Sequence, residues 1–217
     1  TDRVRLQLVS SFTGKDKLIT RLTGGNVGNS FVDEIGSNEG RFAFDGQTGN
    51  NVALDRLHYV FPVFDNLEAT VMAGLGGHHF YADTFNRGLE AGGGANGALS
   101  RFGERSPIYR MGLGGRGVGF RYTNPYFEAS AGYVARGAEN PSDGAGLFNG
   151  NYSAMGQVVL SPTDSIDLGL TYVHGYDVSQ GAFNFGGTGT GLGNLNLSSK
   201  GVAKTPLTIN KYDVAAS

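Results

Sequence analysis

Three consecutive runs between Asn124 and Tyr176 alternate apolar and polar residues with a period of two. In the first, Phe127, Ala129, Ala131 and Tyr133 alternate with Tyr126, Glu128, Ser130 and Gly132. In the second, Tyr152, Ala154, Gly156, Val158 and Leu160 alternate with Ser153, Met155, Gln157 and Val159. In the third, Ile166, Leu168, Leu170 and Tyr172 alternate with Asp167, Gly169, Thr171 and Val173. Successive strand side chains point to opposite faces, so each run predicts a β-strand with one apolar face. Each is about 10 residues long, the length a tilted strand needs to cross a bilayer. Two joins are tight, at Asn124-Pro125 and at residues 161–165, and the other is long and rich in Gly, Asn and Asp. Short turns at one rim and long loops at the other are the pattern of an outer-membrane barrel.

The same pattern runs through the rest of the chain. Val4, Leu6, Leu8 and Phe12 alternate with Arg3, Arg5, Gln7 and Ser11, and Gly14-Lys15-Asp16 turns the chain. Residues 17–26 return with Leu18 and Leu22 opposite Arg21. Residues 27–51 read as a polar loop with a short strand-like piece at 41–44. Leu57, Tyr59, Phe61 and Val63 then oppose Arg56 and His58; after a turn at 64–66, Leu67 to Leu75 alternates cleanly. Residues 84–107 form a long loop, which either projects outward or folds into a lumen as a constriction. In residues 108–123 the apolar parity changes, from Tyr109, Met111 and Leu113 to Val118, Phe120 and Tyr122. That is a hairpin or one bulged strand; placing every tight turn on one rim favours the single bulged crossing. Residues after Tyr176 read as a Gly/Asn/Thr-rich loop, and residues 205–215 begin another strand. Roughly nine crossings leave an open edge, which lipid does not tolerate. The expected fold is therefore all-β, an incomplete portion of a larger transmembrane antiparallel β-barrel, with residues 1–217 forming one domain.

Composition narrows the class. Of 217 residues, 17% are charged and the net charge is -2, which excludes a basic nucleic-acid surface. No cysteine is present, which excludes a disulfide framework and a thiolate metal site. No apolar run is long enough for a transmembrane helix, an absence that leaves barrel strands open. The chain opens inside a strand with no signal-peptide pattern, so its true N-terminus is expected to lie upstream. Glycine occurs 37 times and no sustained helical period is found, which argues against a helical protein.

If the apolar faces meet lipid, the opposite faces line the lumen. Those faces carry Arg3, Arg5, Gln7, Arg21, Arg56, His58, Glu68, Arg110, Arg121, Glu128, Gln157 and Asp167. An arginine facing mid-bilayer lipid costs about 2–4 kcal/mol, so arginines at strand centres belong inside. Arginines facing carboxylates set a transverse field and give ion selectivity, or they simply solvate and brace the wall. Arg101, Glu104 and Arg105 lie in the long loop and become constriction residues if it folds inward. Tyr59, Tyr122, Tyr133, Tyr152 and Tyr172 fall near strand ends on the apolar face, as in an aromatic girdle or in ordinary strand packing. His78 and His79, read as adjacent strand residues, point to opposite faces and do not chelate one metal ion. The glycines of Gly112-x-Gly114 and Gly115-x-Gly117-x-Gly119 have no following helix and so no phosphate cradle. They permit a bulge or the close approach of an inward loop.

Three segments carry a family resemblance: RVRLQLVSSFTGKDKLITRL, LSRFGERSPIYRMGLGGRGVGF and GLFNGNYSAMGQVVLSPTDSIDLGLTYVHGY. Together they resemble the barrel region of cyanobacterial outer-membrane porins of the S-layer-homology-domain, carbohydrate-selective (OprB-like) kind. The resemblance implies an outer-membrane, homotrimeric, passive channel for small hydrophilic solutes or inorganic ions, with about 16 to 18 strands in the whole barrel. It implies no cofactor and no nucleic acid. The family's S-layer-homology domain lies outside this sequence, so anchoring to peptidoglycan is implied by the family and not by these residues. Two other classes compete. A barrel phospholipase needs a serine within reach of a histidine, and no motif pairs them here. A soluble all-β carbohydrate-binding module needs its apolar faces to pack on one another.

Overall fold

The computed structural model describes residues 1–28, 31–86, 88–90, 97–143, 145–163 and 166–176, and the backbone of 212–215. Its strands are β1 (Arg3–Ser10), β2 (Lys17–Val27), β3 (Gly46–Gln47), β4 (Ala53–Phe64), β5 (Leu67–Gly76), β6 (Gly115–Thr123), β7 (Phe127–Arg136), β8 (Asn151–Thr163), β9 (Ile166–Tyr176) and β10 (Tyr212–Ala215). They form one antiparallel sheet in the order β1-β2-β4-β5-β6-β7-β8-β9-β10, with β3 paired to β2. The sheet is open between β1 and β10. Helix is confined, among the described residues, to the single turns α1 (Val32–Ile35) and α2 (Gly146–Asn149) and short 3-10 turns, and none is long enough to cross a membrane.

The tight turns close by local hydrogen bonding. The Asp16 carboxylate accepts from the backbone N–H and hydroxyl of Thr13, from Ser11 Oγ at 2.8 Å and from Tyr59 Oη at 2.9 Å. These donors, led by the Thr13 hydroxyl, hold its pKa well below the usual carboxylate range. Asn124 Oδ1 accepts from the N–H groups of Tyr126 and Phe127 at 2.8 and 2.9 Å, an Asx turn between β6 and β7.

Two expectations are corrected. Residues 41–44 make no strand; Phe42 forms an isolated bridge with Ser100. Ile108 to Leu113 is not the first half of a bulged strand. Pro107–Arg110 is a 3-10 turn, the chain turns again through 111–114, and β6 begins at Gly115. Residues 108–123 therefore hold one crossing, but the parity change marks the end of a loop. One bulge lies elsewhere: Arg21 pairs with Arg56 while Leu22 pairs with Leu54, which leaves Asp55 as the extra residue of β4. The segment 177–204, read as a loop, lies outside the described residues.

The two faces differ as the alternation predicts. Leu6, Leu8, Phe120, Val158, Leu160, Leu168 and Leu170 are exposed on one face. They do not pack on a second apolar face, so the sandwich expected of a soluble module is not formed among the described residues. The molecule's core lies instead on the polar face. Met72, Val134, Met155 and Val173 of the strands pack there against Tyr81, Ala82, Tyr109 and Met111 of the 77–114 loop. The larger of these side chains each contribute about 1.5–3 kcal/mol on burial, which holds the described parts of the loop on the sheet.

Candidate functional site: arginines under a folded-in loop

The loop between β5 and β6 is fixed to the polar face by two polar anchors. At the first, the Tyr81 ring lies over the cross-strand glycine pair Gly119 and Gly132. A Cβ on Gly119 would stand 2.1 Å from the ring, and one on Gly132 would stand 2.5 Å from it. These glycines thus permit the close approach that the sequence suggested for Gly119. Tyr81 Oη lies 2.6 Å from His78 Nδ1, and His78 Nε2 lies 2.7 Å from Ser153 Oγ, which donates to Met111 O at 2.8 Å. Since the Ser153 proton is committed to Met111, His78 donates from Nε2 and accepts Tyr81 O–H at Nδ1. Burial lowers the His78 pKa to about 3 and keeps it neutral. The second anchor joins Tyr109 Oη to Gln157 Oε1 at 2.7 Å, while Gln157 Nε2 donates to Asp83 O at 2.8 Å.

The pairing of His78 with Ser153 was not visible in the sequence, and it bears on the enzyme alternative. Both residues are fully buried. The hydrogen bond also runs from histidine to serine, opposite to the direction that would activate a nucleophile. His78 and His79 sit in a 3-10 turn (His78–Phe80), not on a strand. His79 packs on Phe80 with ring centroids 4.0 Å apart, and burial first, then Arg105, holds its pKa well down.

With the loop in place, charges far apart in sequence meet. Arg3, Arg5, Arg21 and Asp55 from the wall face Arg101, Glu104, Arg105 and Arg110 from the loop across a cavity of about 120 Å³. Arg21 grips Asp55 with two bonds, of 2.7 and 3.0 Å, and Arg5 Nε stands 3.9 Å from the same carboxylate. Arg110 and Arg105 share Glu104, and Arg105 also pairs with Glu90. Burial lowers the Arg110 pKa to about 10, which leaves it charged at neutral pH.

A second loop closes the cluster from the β1 side. Arg101 donates to Asp45 Oδ1 at 2.6 Å, and Arg41 shares that carboxylate. Arg3 Nη1 donates to Phe44 O at 3.1 Å and to Asp45 O. The Phe42–Ser100 bridge and the Ala43 N–H···O Leu99 bond of 2.8 Å tie the two loops together. Arg56 completes the set, donating to His58 Nδ1 at 3.0 Å with its guanidinium 4.3 Å from the Phe80 ring. His58 is fully buried, its Nε2 2.9 Å from Gly74 O. Among the described residues the cluster holds eight arginines, at positions 3, 5, 21, 41, 56, 101, 105 and 110, with the four carboxylates Asp45, Asp55, Glu90 and Glu104.

Other residues assigned to the polar face lie apart from this cluster. Glu68, Arg121 and Glu128 gather at the tight-turn rim, where Arg121 pairs with Glu128 and stands opposite Glu68 in the β5–β6 register. Asp167 accepts there from Ser161 Oγ at 2.8 Å. Gln7 lies opposite Arg21 in register and is exposed. Arg110 reaches the cluster from a loop turn, not from a strand. On the apolar face, Tyr133, Tyr152 and Tyr176 stack in series at the long-loop end, with centroids 5.1 and 5.3 Å apart. Phe12, Tyr59 and Phe61 meet at the tight-turn end, as do Tyr122 and Phe127. Tyr172 falls further along β9, opposite Gly156.

An antiparallel sheet with an exposed apolar face and its charge held against the opposite face is the arrangement of a porin wall. The family model for OprB, the carbohydrate-selective porin, matches residues 1–200. The chain belongs to the OprB family, an outer-membrane family. It is similar to uncharacterized protein alr4550 of Nostoc sp., at 39% identity over all of this chain and 40% of that protein. It is also similar to uncharacterized protein sll0772 of Synechocystis sp., at 38% identity over 87% of this chain and 34% of that protein. The chain therefore spans well under half the length of these relatives.

Proposed function

We propose that this chain is the constriction-bearing part of a passive outer-membrane channel for small hydrophilic solutes, carbohydrates and inorganic ions among them. One observation carries the reading: the loop is packed on the polar face of the sheet, and the apolar face is left exposed. A soluble sandwich buries its apolar faces; a barrel wall turns them to lipid and keeps charge inside. The aromatic groups at both strand ends fit the two membrane interfaces. Residues 1–217 then form one stretch of barrel wall, completed by strands outside this sequence, in a homotrimer. Contact with peptidoglycan belongs to a domain outside this sequence.

The test is planar-bilayer recording of the full-length protein, refolded in detergent, under a salt gradient. Stable ohmic steps are expected. A properly folded trimer without conductance would overturn the channel reading and leave a plugged barrel or a structural wall protein.

A further inference from the structure

The charge balance around the loop junction points to its occupant. Among the described residues the cluster has twice as many guanidinium groups as carboxylates, and guanidinium stays charged at any physiological pH. Asp55 and Glu104 are each shared between two arginines. Arg3 is matched by backbone carbonyls and a threonine hydroxyl, which supply hydrogen bonds and no charge. Positive charge held out of water without a counter-charge is costly. Arg110 shows the same imbalance at one atom: it is 1% exposed, yet its Nε has no hydrogen-bond partner among the described residues.

We infer that the cavity bounded by Arg3, Arg5, Arg21, Arg101, Arg105 and Arg110 binds a small inorganic oxyanion, of the phosphate, sulfate or bicarbonate kind, as it passes through the channel. The inference rests on the channel reading for the passage and on the geometry alone for the binding. Chemistry selects the class. The planar fork of arginine matches paired anionic oxygens, which a spherical chloride lacks, and the excess of guanidinium over carboxylate around the cavity favours an anion over a neutral sugar.

Two measurements on the full-length protein test this. In the first, sulfate or phosphate is titrated against chloride conductance in planar bilayers. Saturable block is expected, with a reversal potential showing anion preference. Arg101→Gln and Arg3→Gln should each raise the half-blocking concentration about tenfold, the loss of one charge-assisted contact. Arg116→Gln, at the rim and 45% exposed, should leave it unchanged. In the second, phosphate binding to the detergent-solubilised protein is followed by calorimetry, with glucose as the comparison ligand. Phosphate should bind and glucose should not compete.

An open channel that prefers cations, or whose chloride current sulfate and phosphate do not block, would overturn the oxyanion site and leave the channel standing. Phosphate binding without conductance would overturn the channel and leave the site standing. Glucose displacing phosphate would overturn the preference for an oxyanion.

Discussion

Gly119→Ala tests whether the loop is held against the sheet by the Tyr81 anchor. The new Cβ would stand 2.1 Å from Tyr81 Cδ1 and 2.2 Å from Cγ, at the root of the ring, where a flip of the ring about its own axis gives no relief. The ring must move off the Gly119–Gly132 pair. Overpacking of this kind costs about 1–3 kcal/mol. Moving the ring also breaks the 2.6 Å contact with His78 and leaves His78 Nδ1 buried without its partner, about 1–3 kcal/mol more. The combined expectation is about 2–6 kcal/mol. Thermal unfolding of the detergent-folded protein, followed by circular dichroism, measures the loss, and limited proteolysis of the 77–114 loop locates it. Tyr81→Ala removes the obstructing ring, so adding Gly119→Ala to that background should cost little. The double-mutant cycle should return a coupling energy of about 2 kcal/mol. Additive effects, or a Gly119→Ala protein as stable and protease-resistant as the parent, would refute the anchor.

Asp55→Asn removes the carboxylate shared by Arg21 and Arg5; it should lower stability by about 3 kcal/mol and move the reversal potential further toward chloride. Asp16→Ala should destabilise the first hairpin. The folded Asp16 pKa is depressed, so its contribution is complete above the unfolded value of ~3.9 and is lost as pH falls further. The melting difference between parent and variant should therefore hold near neutrality and shrink in strong acid. A serine-directed phosphonate should leave Ser153 unlabelled in the folded protein, because the hydroxyl is sealed and donates to Met111 O; labelling would reopen the enzyme reading.

Strands were legible in the sequence because one face of each must be apolar and the pleat fixes the period at two. Arg3, Arg5, Arg21, Arg56 and His58 were readable as polar-face residues for the same reason. Asp55 was missed, although it left a signal. Leu54 shares no parity with Leu57, Tyr59 and Phe61, and that break marks the bulge that brings Asp55 beside Arg21. The 108–113 segment misled because Tyr109, Met111 and Leu113 alternate as a strand would. Tyr109 and Met111 are apolar for another reason: they pack a loop onto the sheet. Asp45, Arg41 and Glu90 carry no periodic signal. Their positions depend on two loops meeting through Phe42 and Ser100, a contact far apart in sequence.

The placement of charge along the wall gives the cluster a direction. Arg3 and Arg5 lie at the end of β1 remote from its tight turn, under the long loops. Glu68, Glu128 and Asp167 lie beside tight turns at the opposite rim, with Arg121 among them. On the oxyanion reading, an anion released from the cluster toward the tight-turn rim passes net negative charge there. Conduction needs a site that attracts an ion and also lets it go. Six arginines around one small cavity would hold an oxyanion too firmly for that. Asp55 and Glu104 reduce the pull where it is strongest, each placed between two of those arginines. On that reading, the carboxylates inside the cluster serve passage as the arginines serve selection.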